Sequence, residues 1–310
     1  MKQIVVLSGK GGTGKTSISA AFAHLSFTQA NFPPSVFVDA DVDAANLSLV
    51  LQPNIHDPNE FWGGSLAIID SDQCVNCEAC SAVCRYDAIF PDPQNAQTQW
   101  IDPIACDGCA ACVYACPEGA IHMVQQQEGN WFQSQTPFGY LLHAELFPGK
   151  ENSGKLVTLI KQQGRLYAED SHSYLMIIDG PPGIGCPVIS ACSSTDLGLI
   201  MTEPSLTGLH DLKRVLGTLR HFRVPTVICI NKADIYPEGT RAIREFADAE
   251  GIDLIGEIPY DENIPRAMLE GKPITLLFPD SPASRAVRDV WQKTIQLLQL
   301  KDGHYGSSSS

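Results

Sequence analysis

The sequence predicts an α/β chain: a doubly wound, mostly parallel sheet whose strand and helix alternation is interrupted by a small α+β insertion. Three observations carry this. Apolar runs of strand length stop at polar or acidic residues and alternate with helical segments. A glycine- and lysine-rich loop, GKGGTGKT from Gly9 to Thr16, lies between the first such run and the first helix. Between about residues 60 and 130 the rhythm gives way to a cysteine-rich stretch that repeats itself. The predicted organisation is 1–59 for the first half of the α/β domain, 60–130 for the insertion, 131–302 for the second half and 303–310 for a polar tail.

Taken in order, Lys2 to Leu7 is a β-branched run that ends at the loop, and Thr16 to Thr28 reads as a helix with Ile18, Ala21, Phe22 and Leu25 on its apolar face. SVFVDADVD, from Ser35 to Asp43, is a second apolar strand ending in carboxylates. After Asn54 the composition turns to Pro, Asp, Cys and Gln. The alternation returns from about Leu156 with YLMIIDGPPG, LGLIMTEPS, PTVICINKAD and IDLIGEIPYD. Runs apolar on both faces suit buried parallel strands, with functional loops at their C-terminal ends. Ser284 to Leu300 places Val287, Val290, Trp291, Ile295 and Leu298 on one helical stripe; its polar face is mixed in charge, so core packing is expected instead of membrane binding.

The chain has 310 residues, 44% of them hydrophobic, and a net charge of −14. That charge weighs against a standing grip on nucleic acid or an anionic membrane, which needs clustered Lys and Arg. The apolar run at residues 2–8 is too short for a signal segment and leads directly into the loop, so a cytoplasmic location is expected. Eleven cysteines in a reducing compartment point to metal ligation before disulfides.

Eight of the cysteines fall in two runs of C-x₂-C-x₂-C-x₃-C: Cys74, Cys77, Cys80, Cys84 and Cys106, Cys109, Cys112, Cys116. The segments from Ile69 and from Ile101 align without gaps at an offset of 32 residues. In such a run three thiolates wrap one cubane and the fourth reaches the other cluster. The expected sets are therefore Cys74, Cys77, Cys80 and Cys116 for one [4Fe–4S] and Cys84, Cys106, Cys109 and Cys112 for the second. Zinc prefers separated CxxC pairs to four cysteines in eleven residues. This stretch resembles bacterial two-cluster ferredoxins, with Arg85 where Pro117 stands in the second run, and the resemblance implies a ferredoxin-like insertion whose default role is electron transfer. A purely structural role for the clusters is the plainer alternative.

The loop satisfies GxxxxGK[ST], whose backbone N–H groups cradle phosphates while Lys15 reaches the β/γ oxygens and Thr16 ligates Mg²⁺. Asp179 ends the strand LMIID, placed to complete the Mg²⁺ shell, with GPPG after it as a γ-phosphate sensor. Asp39 and Asp41 end the neighbouring strand, one to orient Mg²⁺ water and the other a nucleophilic water, unless they only cap the next segment. Lys10 is surplus to this description. Together KGGTGKT, VDADVDAANL and IIDGPPG resemble the deviant-Walker family of MinD, ParA, Mrp and the nitrogenase iron protein. The resemblance implies that Lys10 crosses the interface of an ATP-bound homodimer and that Gly11, Gly12, Thr13, Gly14, Lys15, Thr16 and Ser17 hold the nucleotide. It further implies that Asp41 positions the attacking water, that Asn46 touches the nucleotide face, and that Asn231 reads adenine beside the turn containing Pro259. A solvated Lys10 paired with a nearby carboxylate is the bland alternative, and Asn231 to Asp234 also fits the NKxD pattern of guanine binders.

Two weaker signals remain. Gly149 to Lys155 mimics a second phosphate loop but reads better as a turn and helix start, and Cys186, seven residues after Asp179, reads as a switch-loop thiol. The leading expectation is a slow ATPase that couples dimer closure to two clusters for electron transfer to an unidentified protein partner. Alternatives are a cluster or metallocofactor assembly carrier, against which four ligands per cluster argue, and a MinD/ParA-like switch with redox sensing.

Overall fold

The computed structural model describes residues 1–54 and 58–298. The tail at 303–310 lies outside the described residues. Two compact units emerge: 1–59 with 131–145 and 153–310, and 60–130 with 146–152.

The chain enters the first unit through β1 (Lys2–Ser8), α1 (Lys15–Thr28), β2 (Ser35–Asp39) and α2 (Leu47–Leu51). The second unit carries β3 (Asn59–Ile69), α3 (Ala79–Val83), β4 (Ile89–Pro91), β5 (Gln99–Ile101), α4 (Ala111–Ala115) and the start of β6 (Ile121–Thr136). Back in the first unit come β7 (Gly139–Leu146), α5 (Ser153–Asp170), β8 (Leu175–Pro182), α6 (Cys186–Cys192), β9 (Leu197–Thr202) and α7 (Leu206–His221). The last described elements are β10 (Thr226–Asn231), α8 (Pro237–Glu250), β11 (Leu254–Ile258), α9 (Asn263–Leu269), α10 (Ile274–Leu277) and α11 (Pro282–Leu297).

In the first unit the strands run in the order β11-β10-β9-β1-β8-β2-β7, and every pairing among them is parallel. β1, β8 and β9 are buried along almost their whole length, as continuous apolar runs require when helices cover both faces. The stripe on α11 packs inward: Val287, Val290, Trp291 and Ile295 are buried, with Phe22 and Phe32 rings 5.0 and 5.4 Å from Trp291. Gly149 to Lys155 is a turn leading into α5, with Gly149 at φ 78°.

Two features differ from the sequence expectation. β7 adds a parallel strand beside β2, pairing Val36 with Tyr140, where the sequence left the sheet interrupted until about Leu156. Residues 146–152, expected within the α/β domain, belong to the second unit. There Phe147 N donates to Glu128 O (2.8 Å), Lys150 Nζ to Gln126 Oε1 (2.8 Å) and Asn152 Nδ2 to Glu128 Oε2 (2.6 Å). These bonds join residues some twenty apart, so a local pattern does not reveal them.

Within the second unit the repeat is visible as structure. Left-handed backbone occurs at Asn76, Glu78 and Asp87, and again at Gly108, Ala110 and Gly119 in the other copy. Asp70 N donates to Ala120 O and Asp102 N to Ala88 O, both at 2.8 Å. Each copy thus hands its strand end to the other, as a pseudo-twofold duplication does. A small core of Ala67, Ile89, Ile101 and Ile121 supports both.

Candidate functional site

The phosphate loop leaves β1 at Ser8 and enters α1 at Lys15, so α1 begins with free N–H groups aimed at the loop. Gly12 and Gly14 take φ values of 77° and 96°, which side chains with a Cβ adopt only under strain. A Cβ on Gly14 would also collide with Asn231 Nδ2. Above the loop opens a cavity of about 980 Å³ lined by Gly11, Gly12, Gly14, Lys15, Thr16, Ser17, Asp41 and Asn46, with Asn231, Tyr260 and Asp261 further along. It lies at the C-terminal ends of β2, β8 and β10, where open α/β sheets bind ligands.

Below it sits a buried charge cluster. Lys15 Nζ donates to Ser8 Oγ (3.0 Å), and Ser8 Oγ donates to Lys10 O (2.6 Å). Burial lowers the Lys15 pKa, with Asp179, Asp41 and Asp39 opposing. Asp179 accepts from Ser19 Oγ (2.9 Å); burial pushes its carboxyl up to about 6 against hydrogen bonds from Thr16 and Ser19 and the charge of Lys15. Asp39 is fully buried and accepts from Leu47 N (2.9 Å) and Asp41 N (3.2 Å); burial, then Asp179, drives its carboxyl well up. Asp41 rises too, from burial first, with Lys15 pulling it back. Such a cluster of acids around one ammonium suits a site that gains a divalent cation and a polyphosphate together.

Several expected residues make contacts within the chain. Lys10 forms an ion pair with Glu203, which Lys232 Nζ also approaches at 3.4 Å. Burial works upward on Glu203, and Lys10 outweighs it, holding the carboxyl below its ordinary value. Asn231 Nδ2 donates to Thr13 O (2.9 Å) and its Oδ1 accepts from Lys232 N (3.0 Å), so the side chain braces the phosphate loop while lining the cavity. Asn46 is exposed, its Nδ2 donating to Ala44 O (2.8 Å). Pro259 is outside the cavity wall, which its neighbours Tyr260 and Asp261 reach. Asp234 Oδ1 accepts from Tyr260 N (2.7 Å) and so holds that turn. Thr13 Oγ1 is buried with no hydrogen-bond partner among the described residues, an orphan facing the loop it belongs to. Sequence reasoning missed Ser8, Ser19 and Glu203. Only Ser19, one helical turn after Thr16, left a signal, since i and i+3 share a face.

In the second unit the eight cysteines form two rings. Cys74, Cys77, Cys80 and Cys116 line one small cavity, and Cys84, Cys106, Cys109 and Cys112 line another. The fourth cysteine of each run has crossed to the other copy, in step with the crossed Asp70 and Asp102 bonds. Among the described residues no three His, Cys, Asp or Glu side chains form a group able to hold a single metal ion. Four thiols converging on one small cavity instead have the donor chemistry of a multi-atom cluster. Burial raises the Cys80 and Cys112 thiols. Cys186 opens α6 exposed, while Cys192 and Cys229 are buried and pushed up to about 11 and about 12, so both are inert thiols. No described helix is long and apolar enough to cross a membrane.

The nucleotide-binding domain family described as CbiA, CobQ/CobB/MinD/ParA, matches residues 4–274. The chain belongs to this CobQ/CobB/MinD/ParA family. An uncharacterized protein of Methanocaldococcus jannaschii is 32% identical over 300 residues, 96% of this chain and 97% of its own. An iron–sulfur cluster carrier protein of Pyrococcus abyssi is 31% identical over 142 residues, covering 41% of this chain and 47% of the carrier. Among solved structures, the septum site-determining protein MinD of Pyrococcus horikoshii, complexed with Mg-ADP, aligns with a TM-score of 0.58 over 96% of this chain and 98% of its own. At 20% identity that likeness establishes the MinD-like, mostly parallel α/β fold.

Proposed function

We propose that this protein binds and slowly hydrolyses ATP, and that nucleotide-driven closure of a homodimer is coupled to two [4Fe–4S] clusters for electron transfer to a partner protein. The observation that carries the reading is the presence, in one chain, of a phosphate-loop cavity with buried acids beneath it and of two crossed four-cysteine rings.

With Mg-ATP bound, Lys15 would exchange Ser8 for the β/γ-phosphate oxygens, and Thr16 with Asp179 would hold Mg²⁺. Asp41, at the cavity wall, orients the attacking water, while Asp39 fixes the start of α2 and the Asp41 backbone. Lys10 leaves Glu203 and crosses to the phosphates of the second copy. Adenine is favoured over guanine because Asp234, the carboxylate a guanine reader of the NKxD type needs, is outside the cavity wall and holds the Tyr260 turn instead. When bound in the rings, the clusters supply one-electron chemistry and Mg²⁺ supplies charge neutralisation at the phosphates.

The test is a redox titration monitored by EPR on anaerobically purified protein, with Mg-ADP and then a non-hydrolysable Mg-ATP analogue. A midpoint potential or line shape that changes only with the ATP analogue supports coupling. Clusters indifferent to nucleotide overturn it.

A second reading, a cluster carrier, is favoured by the similarity to iron–sulfur cluster carrier proteins and by Cys77 and Cys109, which leave one thiol of each ring exposed. It requires clusters that pass intact to an apo-protein faster than they are lost to a chelator.

A further inference from the structure

The two cysteine rings share a local fold but not a charge environment. At the offset of 32 residues each position around one ring has a counterpart around the other, so their differences can be compared pair by pair. Asp70 and Asp102 cancel: the Oδ1 of each accepts from the backbone N two residues on, Asp72 N at 3.0 Å and Ile104 N at 2.8 Å.

The remaining charges do not cancel. Beside the ring of Cys74, Cys77, Cys80 and Cys116 the loop carries Asp72 and Glu78, and Glu118 follows the fourth cysteine; their counterparts are Ile104, Ala110 and Tyr86. Glu78 and Glu118 both line that ring's cavity. Beside the ring of Cys84, Cys106, Cys109 and Cys112 stand Asp107, Asp87 and the cation Arg85, whose counterparts are Val75, Gly119 and Pro117. The first ring thus has three formal negative charges at these positions and the second a net of one. Asp107 is restrained as well, because Tyr86, which lines the second cavity with it, hydrogen-bonds to its carboxylate.

These six charged residues are exposed, so water weakens each effect. Each is nonetheless at most three residues from a cysteine of its own ring, a backbone span of roughly 10 Å or less. That is comparable with the screening length of ~8–10 Å. A [4Fe–4S] core gains one negative charge on reduction, and local net charge is among the factors that set its potential. Neighbouring carboxylates oppose the added electron, whereas a guanidinium or a hydrogen-bonded carboxylate opposes it less.

We infer that the clusters held by the two rings differ in potential: Glu78 and Glu118 make the first ring's cluster the harder to reduce, and the second ring's, beside Arg85 and the bonded Tyr86 and Asp107, takes the first electron. The inference rests on the two-cluster reading above and is independent of nucleotide coupling. One electron from an external donor then converts the second ring's cluster from its oxidised to its reduced core, with no bond made or broken and no proton moved. The chain thereby has a defined resting site for a single electron.

The test is an EPR-monitored redox titration of the anaerobically purified, nucleotide-free full chain, with the gap between the two one-electron potentials as the readout. Two equal clusters would be split only by their mutual repulsion, so neutralising a carboxylate beside either would widen the gap. Unequal clusters respond with opposite signs. Glu78→Gln combined with Glu118→Gln is expected to raise the lower potential and narrow the gap. Asp107→Asn is expected to raise the upper potential and widen it, and Arg85→Gln to lower the upper potential and narrow it. Iron and sulfide content, unchanged in all three variants, shows that the rings remain filled. A gap widened by the paired Glu variant, narrowed by Asp107→Asn, or insensitive to both overturns the inference. Clusters that show these shifts but are indifferent to nucleotide leave it standing and remove only the proposed coupling, whereas a chain that assembles no cluster removes both.

Discussion

Replacing Glu203 by Gln tests the role of the second lysine directly. In the isolated chain Lys10 is held by Glu203, a carboxylate it shares with Lys232. Lys10 is 36% and Glu203 18% exposed at the side chain, so the pair is partly screened and contributes no more than about 1 kcal/mol. A dimer that needs Lys10 on the partner's phosphates must break this pair twice, once in each copy. Glu203→Gln keeps the shape of the side chain and removes the charge. The dimer formed with a non-hydrolysable Mg-ATP analogue should therefore tighten by about 1–2 kcal/mol, roughly 5- to 30-fold in Kd. Sedimentation equilibrium with the analogue measures this, and the Glu203→Gln effect should vanish in a Lys10→Ala background. A dimer unchanged or weakened by Glu203→Gln refutes the idea that Lys10 must be released to act.

Three further outcomes are expected. If the rings cross between repeats, Cys74→Ser combined with Cys116→Ser damages one site and leaves about four irons per chain, whereas Cys74→Ser with Cys84→Ser damages both, as iron and sulfide analysis will read. Asp179 has its folded pKa raised to about 6 from 3.8, so its charging opposes folding as pH rises between those values; Asp179→Asn should stabilise the nucleotide-free protein at pH 7.5 by up to about 3 kcal/mol in thermal unfolding, while abolishing Mg²⁺-dependent hydrolysis. His143, buried against Phe132 and bonded to Ser134 Oγ (3.1 Å), is depressed to about 4 from 6.5 by burial. The unfolded chain then takes up a proton that the folded chain refuses, so stability falls as pH drops from 6.5 towards 4. His143→Gln should recover about 3 kcal/mol at pH 4 in denaturant titrations and almost none at pH 8.

Legibility tracked the range of the interactions. The phosphate loop, the acid-terminated strands and the duplicated cysteine runs are local patterns, and each stands where its spacing placed it. β7 escaped notice because β6 before it is Gln-rich and largely half-buried, with neither the alternation nor the apolar run that marks a strand. Asn231 was expected at the base; its contact with Thr13 O joins positions 218 residues apart, which no window on the chain brings together. Lys10 was legible as an extra charge, but its Glu203 partner sits in a different strand–helix loop and carries no motif.

The sequence by itself determined the α/β class, the nucleotide-binding loop and the cysteine sets, because glycine at positive φ, a lysine at a helix start and thiols two residues apart are chemistry written into adjacent positions. Only the tertiary structure decided that Ser8 and Ser19 hold Lys15 and Asp179, that residues 146–152 join the second unit, and that Asn231 braces the phosphate loop. Those features depend on burial. Burial is a property of what other elements cover, and the chain acquires it only when distant segments come together.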